Sequence, residues 1–239
     1  MTVAAVVLAA TPDAALADAD GLPSVRRIAD VAWSGGATPI VVVAADPDGL
    51  VAKALAGASA TLAEPAPPEA GPVGQIARGM DVAFEVIRDT RAVLVWPSRC
   101  TWVGPETVTS LIEAHGVAER AVLRPAYEGV LGWPAVVPGA LLQDLRGLSA
   151  ERMPDELLED LAAAGVTIEA LELGDPGATF DRSTPRSDLP PYIGPAQPAG
   201  GHVHEWGAAT AEEPDDGPLE GPALAPYGQA VASDPEQPG

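Results

Sequence analysis

Short runs of β-branched and aliphatic residues alternate along the chain with segments whose apolar positions recur at helical spacing. The runs fall at Val3 to Ala9, Pro39 to Ala45, Ser59 to Ala63, Arg91 to Trp96, Ala121 to Pro125, Ala135 to Val137 and Val166 to Leu173, and each predicts a strand. Between them Val25, Ile28, Ala29, Ala32 and Trp33 form one helical stripe, and Val73, Ile76, Ala77, Met80, Ala83, Phe84 and Ile87 form a longer one. Further helices are signalled at Pro47 to Ala56, at Pro105 to His115 with Glu106 in the first turn, at Gly139 to Leu145, and at Pro154 to Ala164 ending in Gly165. Strands such as Ile40 to Val43 are apolar at every position. That pattern predicts burial on both faces, and so an α/β domain with a mostly parallel sheet covered by helices on each side. Ligands of such sheets bind beyond the carboxyl ends of the strands.

The pattern stops near residue 190. No Lys or Arg follows Arg186, and Pro, Gly, Asp and Glu dominate to Gly239, a composition that buries too little apolar surface to offset its ordering entropy. The sequence therefore predicts one domain over residues 1–189 and a disordered Pro/Gly-rich acidic tail over 190–239. Within that tail His202-Val203-His204-Glu205 offers metal-binding side chains, and Glu212, Glu213, Asp215 and Asp216 form an acidic cluster with Trp206 and Tyr227 as isolated aromatics. The metal donors are not preformed by any element. The cluster offers contacts to a basic protein partner.

Composition narrows the function. Thirty-four acidic residues against 13 basic ones give a formal charge of -21, a field that repels nucleic acid and anionic membrane surfaces. The apolar run Val3 to Ala10 is too short to span a bilayer and has no basic region before it, and the single Cys100 excludes an intrachain disulfide framework. The reading is a soluble cytoplasmic protein with neither nucleic acid nor membrane as partner. Cys100 follows Arg99, a cation able to lower a thiol pKa, but the nearest candidate base, His115, falls at a helix C-terminus, where it would cap. Inert packing is the reading for the thiol.

Several segments, in order, resemble the MobA-like nucleotidyltransferases of molybdenum-cofactor maturation. Ala4-Ala5-Val6-Val7-Leu8-Ala9-Ala10 is similar to that family's first strand, and Gly21-Leu22-Pro23-Ser24-Val25-Arg26-Arg27-Ile28 to its first helix. Glu69-Ala70-Gly71-Pro72-Val73-Gly74-Gln75-Ile76-Ala77-Arg78 resembles the loop and helix start that help hold the base. The stretch Ala92 to Trp96 with Val103-Gly104-Pro105-Glu106 resembles the strand and helix start on either side of the metal-binding Asp, and Asp181-Arg182-Ser183-Thr184-Pro185-Arg186-Ser187-Asp188-Leu189 the motif D-x-D-T-P-x-D-L. The resemblance implies a three-layer, Rossmann-like (GT-A-like) domain that moves a nucleoside monophosphate from a nucleoside triphosphate to a phosphorylated acceptor such as molybdopterin.

The chain departs from that pattern where chemistry is done. Thr11-Pro12 follows Ala10 where the family has Gly, and no Lys or Arg lies between there and Gly21, although a phosphate cradle relies on glycine, open backbone N–H groups and a cation. Registered on Val103 to Glu106, the metal Asp falls on Arg99, and Gly132-Trp133-Pro134 stands where some relatives carry G-H-P. A guanidinium repels Mg²⁺ but suits phosphate or carboxylate, so Arg99 is read either as an anion ligand or as half of a surface ion pair. The resemblance places a candidate nucleotide pocket at Ala9, Ala10 and Thr11, at Gly71, Pro72 and Gly74, and at Arg78 and Arg99, with Asp181 as a weak candidate metal ligand. The expectation is a retired active site in an accessory or binding protein for a nucleotide, a molybdopterin-type ligand or a protein. The alternative is an active enzyme, using Mg²⁺ through Asp181 with Arg78 and Arg99. Nucleobase, acceptor, cofactor and oligomeric state are open.

Overall fold

The computed structural model describes residues 2–194; the tail motifs from His202 to Asp216, with Trp206 and Tyr227, lie outside them. Strand β1 (Thr2–Leu8) is buried from Val3 to Val7 and pairs in parallel with β4 (Ile40–Val43) on one side and β6 (Thr90–Pro97) on the other. Beyond β4 lies β5 (Ala60–Ala63), also parallel. Beyond β6 comes β9 (Ala135–Pro138), antiparallel, then β7 (Val122–Tyr127) and β10 (Ile168–Glu172), which are parallel to each other. The order β10-β7-β9-β6-β1-β4-β5, with β8 (Val130–Leu131) pairing β7, makes one mostly parallel sheet.

Helices cover both faces. The amphipathic α4 (Gly71–Val86) lies across β1, β4 and β6 with α6 (Leu142–Arg146) and α7 (Pro154–Ala163) beside it. On the other face α2 (Ser24–Ser34) packs on β1 and β4, and on α5 (Pro105–Val117), which reaches β7 and β9. The stripe predicted for α2 buries Val25, Ile28, Ala29 and Ala32, but Trp33 is 56% exposed and leaves the core. Its place on the 3.6-residue wheel is the margin of the stripe rather than its centre. Gly79 lets α4 approach the sheet, since a Cβ there would stand 2.2 Å from Val6 Cγ1. Because the chain runs from β1 to β4 on one side and returns over the sheet to β6 on the other, strand order reverses at β1, and a crevice opens beyond its carboxyl end.

Four small helices and strands were not visible in the hydrophobic pattern, β8 among them. A short α1 (Pro12–Leu16) begins directly after β1, and α3 (Leu50–Ala54) is trimmed from the predicted Pro47 to Ala56. Between α1 and α2 the strands β2 (Asp18–Ala19) and β3 (Leu22–Pro23) form a ribbon. Its two-residue turn, Asp20-Gly21, has φ of 60° and 82°, the left-handed pair an Asp-Gly hairpin favours. Beyond Asp188 the described backbone stays attached, Ile193 N–H donating to Gly174 O at 3.0 Å. No helix among the described residues is long and apolar enough to cross a membrane.

Candidate functional site

The crevice at the strand ends is a cavity of about 470 Å³. Leu8 to Ala10 leave β1 along its floor, Val43 and Ala45 bring the end of β4, and Pro97 and Arg99 the end of β6. Its rim is made by the start of α4, through Gly71, Pro72 and Gln75, and the start of α7, through Met153 and Pro154. Of the residues predicted for a nucleotide pocket, Ala9, Ala10, Gly71, Pro72 and Arg99 line this cavity, whereas Thr11, Gly74 and Arg78 do not. Arg78 lies one turn further along α4 and donates to Glu64 O at 3.3 Å.

Each lining segment is fixed by local chemistry. Thr11 N-caps α1, its hydroxyl accepting from Ala14 N–H at 3.1 Å with Pro12 at the first helical position. The exit of β1 therefore turns straight into a helix instead of an open glycine loop, and the Thr11 side chain is occupied in holding that turn. Gly71 starts α4 at φ 59°, where a Cβ would meet Ala150 O at 2.0 Å; only glycine lets the α4 start pass under the segment leading to α7. The Gln75 amide is also engaged at both ends, accepting from Ala66 N–H at 2.8 Å and donating to Ala66 O at 2.9 Å.

Charge at the site is organised around Asp155, the second residue of α7, which the sequence reading did not single out. Its Oδ1 accepts from the Arg124 guanidinium at 3.0 Å and the Trp133 indole N–H at 3.2 Å, while its Oδ2 lies 3.6 Å from Arg99 Nη2. Arg124 is buried, stacks over the Trp133 ring with its guanidinium carbon 4.9 Å from the centroid, and donates to Gly132 O at 3.0 Å. Gly132-Trp133-Pro134 thus packs an indole against an arginine rather than presenting a titratable imidazole. Arg99 is half-exposed, and its contact to Asp155 is an ion pair longer than a hydrogen bond.

Asp181 stands near Arg99 but its Oδ1 is taken by Ser183, whose amide and hydroxyl donate at 2.8 and 2.6 Å. The Ser183 hydroxyl, then its amide and the Arg99 and Arg182 charges hold this carboxyl below its ordinary range against a partial desolvation. The main chain here is pinned as well: Trp102 Nε1 donates to Asp181 O, and Arg182 N–H donates to Arg99 O. No group of three or more His, Cys, Asp or Glu side chains able to hold a metal ion occurs among the described residues. Arg99 thus puts a cation where the resemblance places a metal-binding Asp, which opposes a divalent cation there, while Asp181 has Oδ1 engaged by Ser183.

The other candidate chemistry separates cleanly. Cys100 is buried, and burial pushes its thiol up to about 11 despite the adjacent Arg99; desolvation outweighs the cation. His115 does not cap α5 through Nδ1, which is buried without a hydrogen-bond partner, and burial lowers its pKa. Asp175, also unpredicted, is 3% exposed and accepts from Gly104 N–H at 2.8 Å, Thr107 Oγ1 at 2.7 Å and Gly177 N–H at 2.8 Å. It serves as a remote N-cap for α5, whose own Ncap residue is a glycine. The turn signal Gly174-Asp175-Pro176-Gly177 was its only trace in the sequence.

Compared with known proteins, the chain matches the family model described as MobA-like NTP transferase domain over residues 10–165. Among solved structures it is similar to a nucleotidyl transferase from Methanothermobacter thermautotroptrophicus, with a TM-score of 0.57 and 20% identity over 72% of this chain and 87% of that one. It is also similar to 2-C-methyl-D-erythritol 4-phosphate cytidylyltransferase from Thermus thermophilus, with a TM-score of 0.57 and 19% identity over 77% and 94%. Rv0371c from Mycobacterium tuberculosis, solved with manganese, gives a TM-score of 0.53 and 18% identity over 72% and 89%. No curated protein matches. At these identities the structures establish the fold.

Proposed function

This chain belongs to the MobA-like NTP transferase family, and on that premise we propose that it is a binding or accessory protein of the family rather than a working nucleotidyltransferase. The ligand is a nucleotide or a molybdopterin-type compound in the strand-end cleft. The observation that carries this reading is Arg99 at the exit of β6, the position where the resemblance puts a metal-binding Asp, ion-paired to Asp155 and facing the cavity. Nucleotidyl transfer asks the protein mainly for positioning and for neutralisation of phosphate charge, and a metal ion supplies most of the latter. A cation at 99 opposes metal binding electrostatically. Two further features agree with it. The phosphate loop is replaced by the capped start of α1, and the Asp181 carboxylate is engaged by Ser183.

Calorimetric titration with GTP, CTP and ATP, each with and without Mg²⁺, followed by an assay of pyrophosphate release, tests this reading. The expected outcome is no pyrophosphate release and no gain in affinity from Mg²⁺. Mg²⁺-dependent binding with turnover would overturn it in favour of an active transferase that uses Asp181, Arg78 and Arg99.

A further inference from the structure

Among the described residues lining the cavity, Arg99 is the one charged side chain, and the walls are apolar, with Leu8, Val43, Pro65 and Pro97 prominent. A cavity of about 470 Å³ suits one small molecule. The start of α4, which is 16 residues long, lines it and adds partial positive charge, whereas the start of α7 also lines it but carries Asp155 and Glu156 in its first turn, which offset its own. Asp155 does not consume Arg99. Its Oδ1 is held by Arg124 and Trp133, whereas the approach of Oδ2 to Arg99, at 3.6 Å, is beyond hydrogen-bonding range. The half-exposed guanidinium thus retains donors for an incoming anion, and Asp155 can stay on its other two partners when one arrives.

The charge supply is small. One guanidinium and the α4 start are a supply on the scale of a phosphate monoester, which carries roughly -1.5 to -2 near neutral pH. A metal-free triphosphate adds two further phosphates, with no cation in the capped α1 turn to meet them, inside a protein of formal charge -21. We infer that the cleft takes a nucleoside monophosphate, base and ribose against the apolar walls and phosphate on Arg99, in preference to the triphosphate and without a divalent cation. The inference rests on the non-catalytic reading of the site. It goes beyond that reading in naming the ligand class and the residue that selects it.

The test is titration of the full chain with GMP, CMP and AMP and with the three triphosphates, in EDTA and again in Mg²⁺. At least one monophosphate should bind in EDTA, with an affinity that Mg²⁺ changes by less than about twofold, and should bind about tenfold or more tightly than its own triphosphate. Arg99→Ala should weaken it about tenfold or more, and Arg99→Lys, which keeps the charge but loses the fork, by less. Unchanged thermal midpoints in both variants would show that folding is intact. Affinity indifferent to Arg99→Ala, or absence of any monophosphate binding with no turnover, would overturn this inference alone. Mg²⁺-dependent triphosphate binding with pyrophosphate release would overturn it together with the non-catalytic reading.

Discussion

At the scale of single residues, burial rather than charge sets the chemistry of Cys100. Its thiol rises from 9.0 to about 11 because the thiolate would be desolvated, and the neighbouring Arg99 only moderates that. The unfolded chain then ionises first. The stabilising effect of keeping the proton is complete below about pH 9 and is lost as pH rises toward 11, amounting to roughly 3 kcal/mol over two pKa units. Urea unfolding at neutral pH and near pH 10.5 should show that alkaline loss in the native sequence and a smaller one in Cys100→Ala; equal losses would contradict the assignment. Asp175 is the opposite case, a buried carboxylate saturated by three donors. Asp175→Ala leaves those donors without an acceptor and should destabilise the protein by about 2–4 kcal/mol, read as a lower urea midpoint. Arg99 and Asp181 were legible in the sequence because motifs flank them. Asp155 and Asp175 were not, since each meets its partners through tertiary packing, Asp155 across 31 residues to Arg124 and Asp175 across 71 to Gly104.

At the scale of elements, the long periodic segments were readable and the short ones were not. The stripe of α4 carries enough period, and the apolar runs of β1, β4 and β6 enough β-branched residues between turn signals, to fix both type and position. In α1, β2, β3 and β8, none longer than five residues, capping and turn chemistry decide. The Asp20-Gly21 turn had a recognisable signature; the similar Glu128-Gly129 turn, with φ of 51° and 78°, links β7 to β8 through a residue less suited to it. The antiparallel β9 could not be assigned a direction from pattern, because a fully buried four-residue run reads the same both ways. Packing of α4 against the sheet supplies its own test. Gly79→Ala drives a methyl into Val6 and should cost about 1–3 kcal/mol by overpacking, measured by chemical denaturation. A neutral effect would mean that α4 sits further from β1 than described. On α5, burial depresses the pKa of His115, so the unfolded state takes the proton first and stability should fall as pH drops below about 6.5. Replacing His115 with Gln should flatten that acid limb of the stability profile.

For the molecule as a whole, the sheet opens a cleft beyond its carboxyl ends, and the proposal of a non-catalytic binding protein rests on the side chains that line it. The switch point at β1, the two helix starts and the apolar floor enclose a cavity of a size that suits one small molecule. The proposed loss of transfer rests on the capped α1 turn, the guanidinium at 99 and the Asp181 carboxylate bonded to Ser183, set against the triphosphate and metal contacts that transfer requires. The most direct measurement is the affinity of the full chain for GTP, CTP and ATP as a function of Mg²⁺. If the site is non-catalytic, the affinities are weak and equal with and without the metal. A triphosphate that binds only, or at least tenfold more tightly, with Mg²⁺ would contradict that account.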